Sequence, residues 1–236
     1  MSPRRQPLRP RARRPRSGLD SFATPSRSSS GLLECFGVVK NQKENTGRVD
    51  SFDFIFRIPR NMRQPRSLRD HLCAGDSYSL SAVFAIAKRL ALSVSYVHIM
   101  GFVHKNIQPE TVLVFDDGRS PLGWSALAGF RTVRMADGKT LRHGNSAWDR
   151  NLYRHPDRQG LLPDTDYTMQ HDIYSLGVCL LEIGLWRALV VYDPDGSPSL
   201  AKTTASFPAI GNPNLKDVLV TLATDVLPQR IGNKFA

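Results

Sequence analysis

Cysteine is scarce in this 236-residue chain. The three present, Cys35, Cys73 and Cys179, are far apart and form no CxxC pair. That spacing supports neither a disulfide framework nor a zinc finger, and uncommitted thiols suit a reducing interior. No long apolar run occurs: the best stretch, Leu176 to Trp186, is 11 residues long and contains Glu182, short of the ~20 residues a membrane-spanning helix needs. No apolar segment follows the basic N-terminus, so no signal peptide is expected. HExxH, G-x-S-x-G, G-x-G-x-x-G and Walker loops are all missing, and the histidines (His71, His98, His104, His143, His155 and His171) show no metal-ligand spacing. No metal and no resident cofactor are therefore expected.

Acids are also few, 21 against 32 Lys plus Arg, for a net charge of +11. The imbalance is concentrated at the N-terminus. Residues 1–30 hold eight arginines, one acid (Asp20) and five prolines, a composition that cannot build a packed core. Residues 1–31 are expected to form a disordered tail. Within it, residues 4–16, and Arg11 to Arg16 in particular, fit a nucleic-acid arm or a nuclear import signal; a solvated tail with no such role fits as well. Pro3, Pro7, Pro10 and Pro15 interrupt the amphipathic helix of a mitochondrial presequence. An intracellular protein, cytoplasmic or nuclear, is expected.

From Leu32 the pattern is globular. Residues 32–39 read as a strand, and Ser51 to Ile58 alternates, with Phe52, Phe54, Phe56 and Ile58 on one face. Ser79 or Ser81 caps a helix with a stripe of Val83, Ala87, Leu90, Val94 and Val97, stopped by Gly101. Val112 to Phe115 is a strand and Ala126 to Phe130 its partner. A second helix from about Met169 to Leu185, with Thr168 as cap, carries apolar residues from Ile173 to Ile183 around most of its circumference and should be buried on nearly all sides. Residues 187–213 read as an irregular insertion. A third helix starts at Asn214 and stops before Pro228.

One segment carries chemistry: His104-Lys105-Asn106-Ile107-Gln108-Pro109-Glu110-Thr111. It follows the first helix and precedes Ala128-Gly129-Phe130, then Tyr153-Arg154-His155-Pro156-Asp157, then Asp172-Ile173-Tyr174-Ser175-Leu176-Gly177. This order resembles the C-terminal lobe of protein kinases, with its H-R-D-L-K-P-E-N, D-F-G, A-P-E and D-x-x-S-x-G elements. More narrowly, it resembles kinase-like regions of fungal proteins related to incompatibility and cell-death signalling. The resemblance implies an α+β, protein-kinase-like fold with a mainly helical C-lobe (73–236), a hinge (59–72) and a remnant N-lobe β-hairpin (32–58), together a partial domain over 32–236. The glycine-rich loop and the strand lysine have no sequence to occupy before Leu32, as in a fragment or incomplete gene product. Ala85-Ile86-Ala87-Lys88 imitates the strand-lysine motif but lies within the amphipathic helix.

The resemblance also implies what is lost. Asn106 stands where the family has the carboxylate that orients the substrate hydroxyl, and Gln108 where a cation meets the transferring phosphate. Thr111 stands at the amide ligand of the second metal, and Gly129 at the main metal-binding aspartate. ATP and Mg²⁺ are thus implied by family only, and catalysis is expected to be absent: general-base action alone is worth about 10²–10⁴ in rate. His104, Pro109, Glu110, Phe130, Pro156, Asp157, Asp172 and Gly177 match positions that hold the fold, and Asp157 pairs in the family with a later arginine, for which Arg230 is the candidate. Three readings follow: an inactive kinase-like binding or regulatory module with unidentified protein partners, an unconventional phosphotransferase, or a nucleic-acid-associated protein working through the tail.

Overall fold

The computed structural model describes residues 30–42, 49–130, 133–136, 147–163, 165–201 and 215–232. Residues 1–29 of the expected tail, and the expected cap Asn214, lie outside them. Ser30 and Gly31, assigned to the tail, are instead docked. Ser30 is buried, and the Gly31 carbonyl accepts from Leu127 N–H at 2.8 Å and Ser93 Oγ at 2.9 Å. The globular unit therefore starts ahead of Leu32.

Strands β1 (Glu34–Gln42) and β2 (Val49–Arg57) form an antiparallel hairpin. Its period-2 pattern selects strand, yet few of its apolar side chains are covered: Phe36, Val38, Val39, Phe52, Phe54 and Ile55 are all exposed. Within the expected hinge the chain forms β3 (Arg63–Ser67), which joins β5 (Val112–Asp116) and β6 (Trp124–Leu127) in a three-stranded sheet. The β5 partner thus ends at Leu127 rather than Phe130; Gly129, at φ +81°, leaves the ladder.

Ser67 then caps α1 (Leu68–Ala74), its Oγ accepting from Asp70 N–H while Asp70 accepts from Ser67 N–H, a reciprocal cap. Ser79 caps α2 (Leu80–Ile99). Val83, Ile86, Leu90, Val94 and Val97 form the buried stripe of α2; Ile86 joins it and Ala87 sits at its edge. Lys88 is exposed. By length and composition α2 could cross a membrane, but its stripe packs in the core shared with α4 (Met169–Leu185).

The α4 boundaries follow the apolar period and end at Trp186 in a left-handed conformation. Its burial is incomplete: Ile173 is 53% exposed and Gly177 is also exposed. The N-terminal half of α4 therefore has a solvent edge, and the C-terminal half does not. Residues read as an irregular insertion contain a small hairpin, β8 (Val190–Tyr192) with β9 (Pro198–Leu200). Short β4 (Phe102–Val103) pairs with β7 (Arg134–Met135), and α3 (Trp148–Asn151) precedes the Pro156 region.

The last helical segment does not stop before Pro228. It runs from α5 (Leu215–Thr221) through a π-turn at Leu222–Val226 into α6 (Leu227–Ile231). Proline has no N–H to donate and crowds the preceding turn; at the start of α6, beyond the wider π-turn, it is accommodated. Gly184 of α4 faces Leu227: a Cβ there would lie 2.6 Å from Leu227 Cδ1. Glycine is what allows the two helices to approach.

Candidate functional site

The segment after α2 is held from below by Asp172, which is fully buried near the start of α4. Its Oδ2 accepts from His104 N–H at 2.7 Å, and its Oδ1 from Lys105 N–H at 2.9 Å. Tyr167 Oη donates to Oδ1 at 2.7 Å, and His98 Nε2 lies 3.0 Å from Oδ2. Burial alone would raise this carboxyl; the hydrogen bonds from His98, the two amides and Tyr167 hold it below the ordinary value. Lys105 sits at φ +67°, an unfavourable region for a side-chain-bearing residue, and the clasp on its N–H fixes it there. The His98 contact is invisible in the sequence, where that histidine reads as a helix flank.

His104 is wholly buried and packs edge-on against Phe130 at 4.7 Å between centroids. Burial lowers its pKa to about 4, against the opposing influence of Asp172 and a hydrogen bond with the Ala128 backbone, so the ring is neutral at pH 7. Phe130 also meets Phe56 of the hairpin at 6.3 Å.

Asn106, Gln108, Thr111 and Gly129 are brought together by a single tight loop. Pro109–Thr111 form one 3₁₀ turn. Thr111 Oγ1 donates within reach of the carbonyls of Asn106 (2.8 Å) and Gln108 (2.9 Å) and lies 3.2 Å from the Gln108 N–H. Asn106 Nδ2 donates to the Gly129 carbonyl at 3.3 Å. A Cβ on Gly129 would lie 2.6 Å from Thr111 Cγ2 and 3.1 Å from Asn106 Nδ2. The space a side chain at residue 129 would need is therefore filled. A divalent metal such as Mg²⁺ needs hard oxygen ligands; the loop presents the Asn106 and Gln108 amides and the Thr111 hydroxyl, which donates to the backbone, while its one carboxylate, Glu110, is committed to Arg69.

Glu110 turns away from this loop into a buried network that the sequence reading missed. Arg69 of α1 donates from Nε to Glu110 Oε1 and from Nη1 to Glu182 Oε1, both at 2.8 Å, and from Nη2 to Tyr153 Oη at 2.5 Å. Tyr153 Oη lies 3.0 Å from both Glu182 oxygens, and Leu189 N–H donates to Glu182 at 2.7 Å. Burial would lower the Arg69 pKa, but Glu182, Tyr153 and Glu110 keep it raised. Pro109, next to Glu110, is buried. Ser175 Oγ donates to the Tyr153 carbonyl at 2.6 Å, tying α4 to the segment before Pro156.

The expected Asp157–Arg230 pair is not formed. Asp157 is exposed and lies 3.5 Å from His155 Nδ1, and Arg230 is exposed on α6. The buried arginine of the fold is Arg69 in α1, and its partners are Glu110 and Glu182, not Asp157. His155, Asp157 and His171 bring potential ligand atoms within 4.8 Å of one another. Both imidazoles, however, use Nδ1 to accept backbone N–H groups, from Asp157 at 3.2 Å and Thr168 at 2.8 Å. Their protons then sit on Nε2, so the cluster is built as a pair of turn caps, not as a metal centre.

No family model matches the chain. Among curated proteins it is similar to a probable cell division protein kinase of Encephalitozoon cuniculi, 31% identical over 57% of this chain and 39% of that protein. It is also similar to eukaryotic translation initiation factor 2-alpha kinase 1 of Mus musculus, 30% identical over 69% of this chain and 27% of that protein, and to a MAP kinase kinase of Schizosaccharomyces pombe, 27% identical over 64% and 35%. The chain thus spans well under half the length of these relatives. With the α+β architecture, a small N-terminal sheet on a mainly helical body, these likenesses make the chain a protein-kinase-like domain.

Proposed function

We propose that this kinase-like domain is catalytically inactive and works as a binding or regulatory module inside the cell, where its three free thiols stay reduced. The observation that carries the reading is Gly129. Its φ of +81° disfavours any side chain, and the Thr111 methyl crowds the position that the first carbon of a side chain would take. Phosphoryl transfer rests on positioning and charge stabilisation, and Asn106 offers no carboxylate to receive the hydroxyl proton. The intact fold-holding contacts of Asp172 and His104 support a domain kept for its surface. Its partners are proposed to be proteins, in line with the narrower likeness to fungal signalling proteins, and neither ATP nor Mg²⁺ is required.

The competing reading, an unconventional phosphotransferase, is favoured by the relatives' names. Titration with ATP, with and without Mg²⁺, and a radiolabel transfer assay separate the two. The expected results are no binding at millimolar ATP and no transfer. Metal-dependent transfer that disappears in Asn106→Ala or Gln108→Ala would overturn the inactive reading.

A further inference from the structure

Among the described residues the β1–β2 hairpin is a sheet of two strands, short of the three or more that an independent sheet needs. Its two edges differ. In β1, Phe36 is an extra residue between the pairs Cys35–Phe56 and Gly37–Ile55, and Gly37 and Lys40 follow. A bulge and an edge lysine discourage further pairing, and a glycine weakens a strand. From Ser51 to Arg57, β2 has no extra residue, glycine, proline or lysine. Its Phe52, Phe54 and Ile55 are 57%, 44% and 43% exposed. A regular, apolar, exposed edge of this kind is a template for another strand.

The sequence of that edge is complementary to itself. Alternation puts Phe52, Phe54 and Phe56 on one face and Asp53, Ile55 and Arg57 on the other. Two antiparallel copies related by a two-fold axis set each residue opposite the one equally far beyond the axis. With the axis at Ile55, Ile55 meets Ile55 of the second copy, Phe54 meets Phe56, and Asp53 meets Arg57. Each charge then faces its opposite, and each apolar residue faces an apolar one. With the axis at Asp53 the two aspartates oppose each other. With the axis at Phe54, Asp53 meets Ile55 and Arg57 meets Ser51. Cross-strand aromatic and opposite-charge pairs stabilise a sheet, and like charges directly opposite destabilise it. Within one copy Asp53 Oδ2 accepts from Asn41 at 2.8 Å, and Arg57 lies 3.7 Å from Glu34 and over the Phe36 ring. All three partners are on β1, which leaves Asp53 Oδ1 and further guanidinium N–H groups for a second partner.

We propose that β2 pairs with β2 of a second copy of this chain, antiparallel about Ile55, to make a four-stranded sheet in the order β1-β2-β2-β1. One strand from each side is a small interface, below the ~800 Å² per partner of a standard one, so the dimer is weak, with Kd on the order of 10 µM. This surface shares no residue with the degenerate loop and goes beyond the inactive-module reading: the pairing holds whether or not the domain transfers phosphate.

Sedimentation of the full chain from about 1 to 200 µM, a range that brackets this Kd, should show a monomer–dimer equilibrium. Asp53→Arg and Arg57→Asp each put like charges opposite each other twice and should each weaken the dimer at least about tenfold. Mixed in equal amounts, the two variants should form a heterodimer near wild-type strength, because one chain then carries two cations at these positions and the other two anions. Mixing cannot repair a folding defect. As a second readout, Ile55→Cys in a Cys35→Ser, Cys73→Ser background should give a disulfide-linked dimer on mild oxidation, since opposed residues on paired strands lie about 4.5–5.5 Å apart between Cα atoms. Val39→Cys in the same background, on the same face but one strand in from the edge, should crosslink far more slowly. A monomer at every concentration would overturn the second copy as occupant and leave the edge to a strand of another protein. A dimer indifferent to both charge changes, or not restored by mixing, would overturn the register. Val39→Cys crosslinking as fast as Ile55→Cys would overturn the β2 edge as the contact.

Discussion

Arg69 on α1 and Glu182 on α4 are 113 residues apart in the chain and 2.8 Å apart in space. Both are buried, and between them they engage Glu110, Tyr153 and the Leu189 amide. Four elements are thus cross-linked through one guanidinium. A buried ion pair is weak evidence of net stabilisation, since desolvation opposes it, but breaking one side strands the other.

Arg69→Met should therefore cost about 3–5 kcal/mol, read as a shift in urea midpoint at constant slope. Arg69→Met combined with Glu182→Gln should cost less than the sum of the two single changes, because the stranded carboxylate is gone. Additive losses in the double-mutant cycle would show that the two side chains are not coupled.

Acid should weaken the fold through His104. Its folded pKa is about 4, below the ~6.5 of an exposed histidine, so the unfolded chain binds more protons between those values. The contribution is fully present above pH ~6.5 and falls away on acidification toward pH 4, worth about 3 kcal/mol in all. Burial also lowers His71 and His171, so His104→Gln should flatten the slope of stability against pH without abolishing it. An unchanged slope in that variant would disprove the assignment.

The helices and motif order were legible because their signals are local. The α4 stripe recurs every three to four residues, and Asn106, Thr111 and Gly129 lie within one loop and the strand turn after it. The Arg69–Glu182 network was not legible. A lone acid in an apolar run looks like a blemish, and nothing near it in sequence points to α1. Ile173 looked buried because periodicity counts apolar residues and not neighbours. Pro228 looked like a stop because a π-turn leaves no sequence signature. The Asp157–Arg230 pair failed for a related reason: the family frame supplied both partners, whereas here Asp157 is exposed and faces His155.

Gly31 tests where the globular unit begins. At φ +63°, with Ser93 Oγ and Arg89 in the Cβ direction, it lets its carbonyl reach Leu127 and Ser93. Gly31→Ala should destabilise by about 2 kcal/mol or more, the left-handed penalty plus the collision. A thermal transition within a degree of wild type would place the start of the unit after Leu32.

Thr111 and Gly129 form the sharpest test, because each explains the other. The Thr111 methyl stands 2.6 Å from where a residue-129 Cβ would sit, so restoring aspartate at 129 meets both an unfavourable backbone and an occupied space. Gly129→Ala should cost about 1–3 kcal/mol. Thr111→Ser removes that methyl but keeps the hydroxyl that bonds the Asn106 and Gln108 carbonyls, and should return part of the loss. Asn106→Asp with Gly129→Asp restores both family carboxylates and should still yield no phosphotransfer, since Thr111 excludes the geometry. If Gly129→Ala is neutral, or if the cycle with Thr111→Ser shows no coupling, the pocket is not closed by Thr111. Activity in the double revertant would go further and show that two carboxylates were all the site lacked.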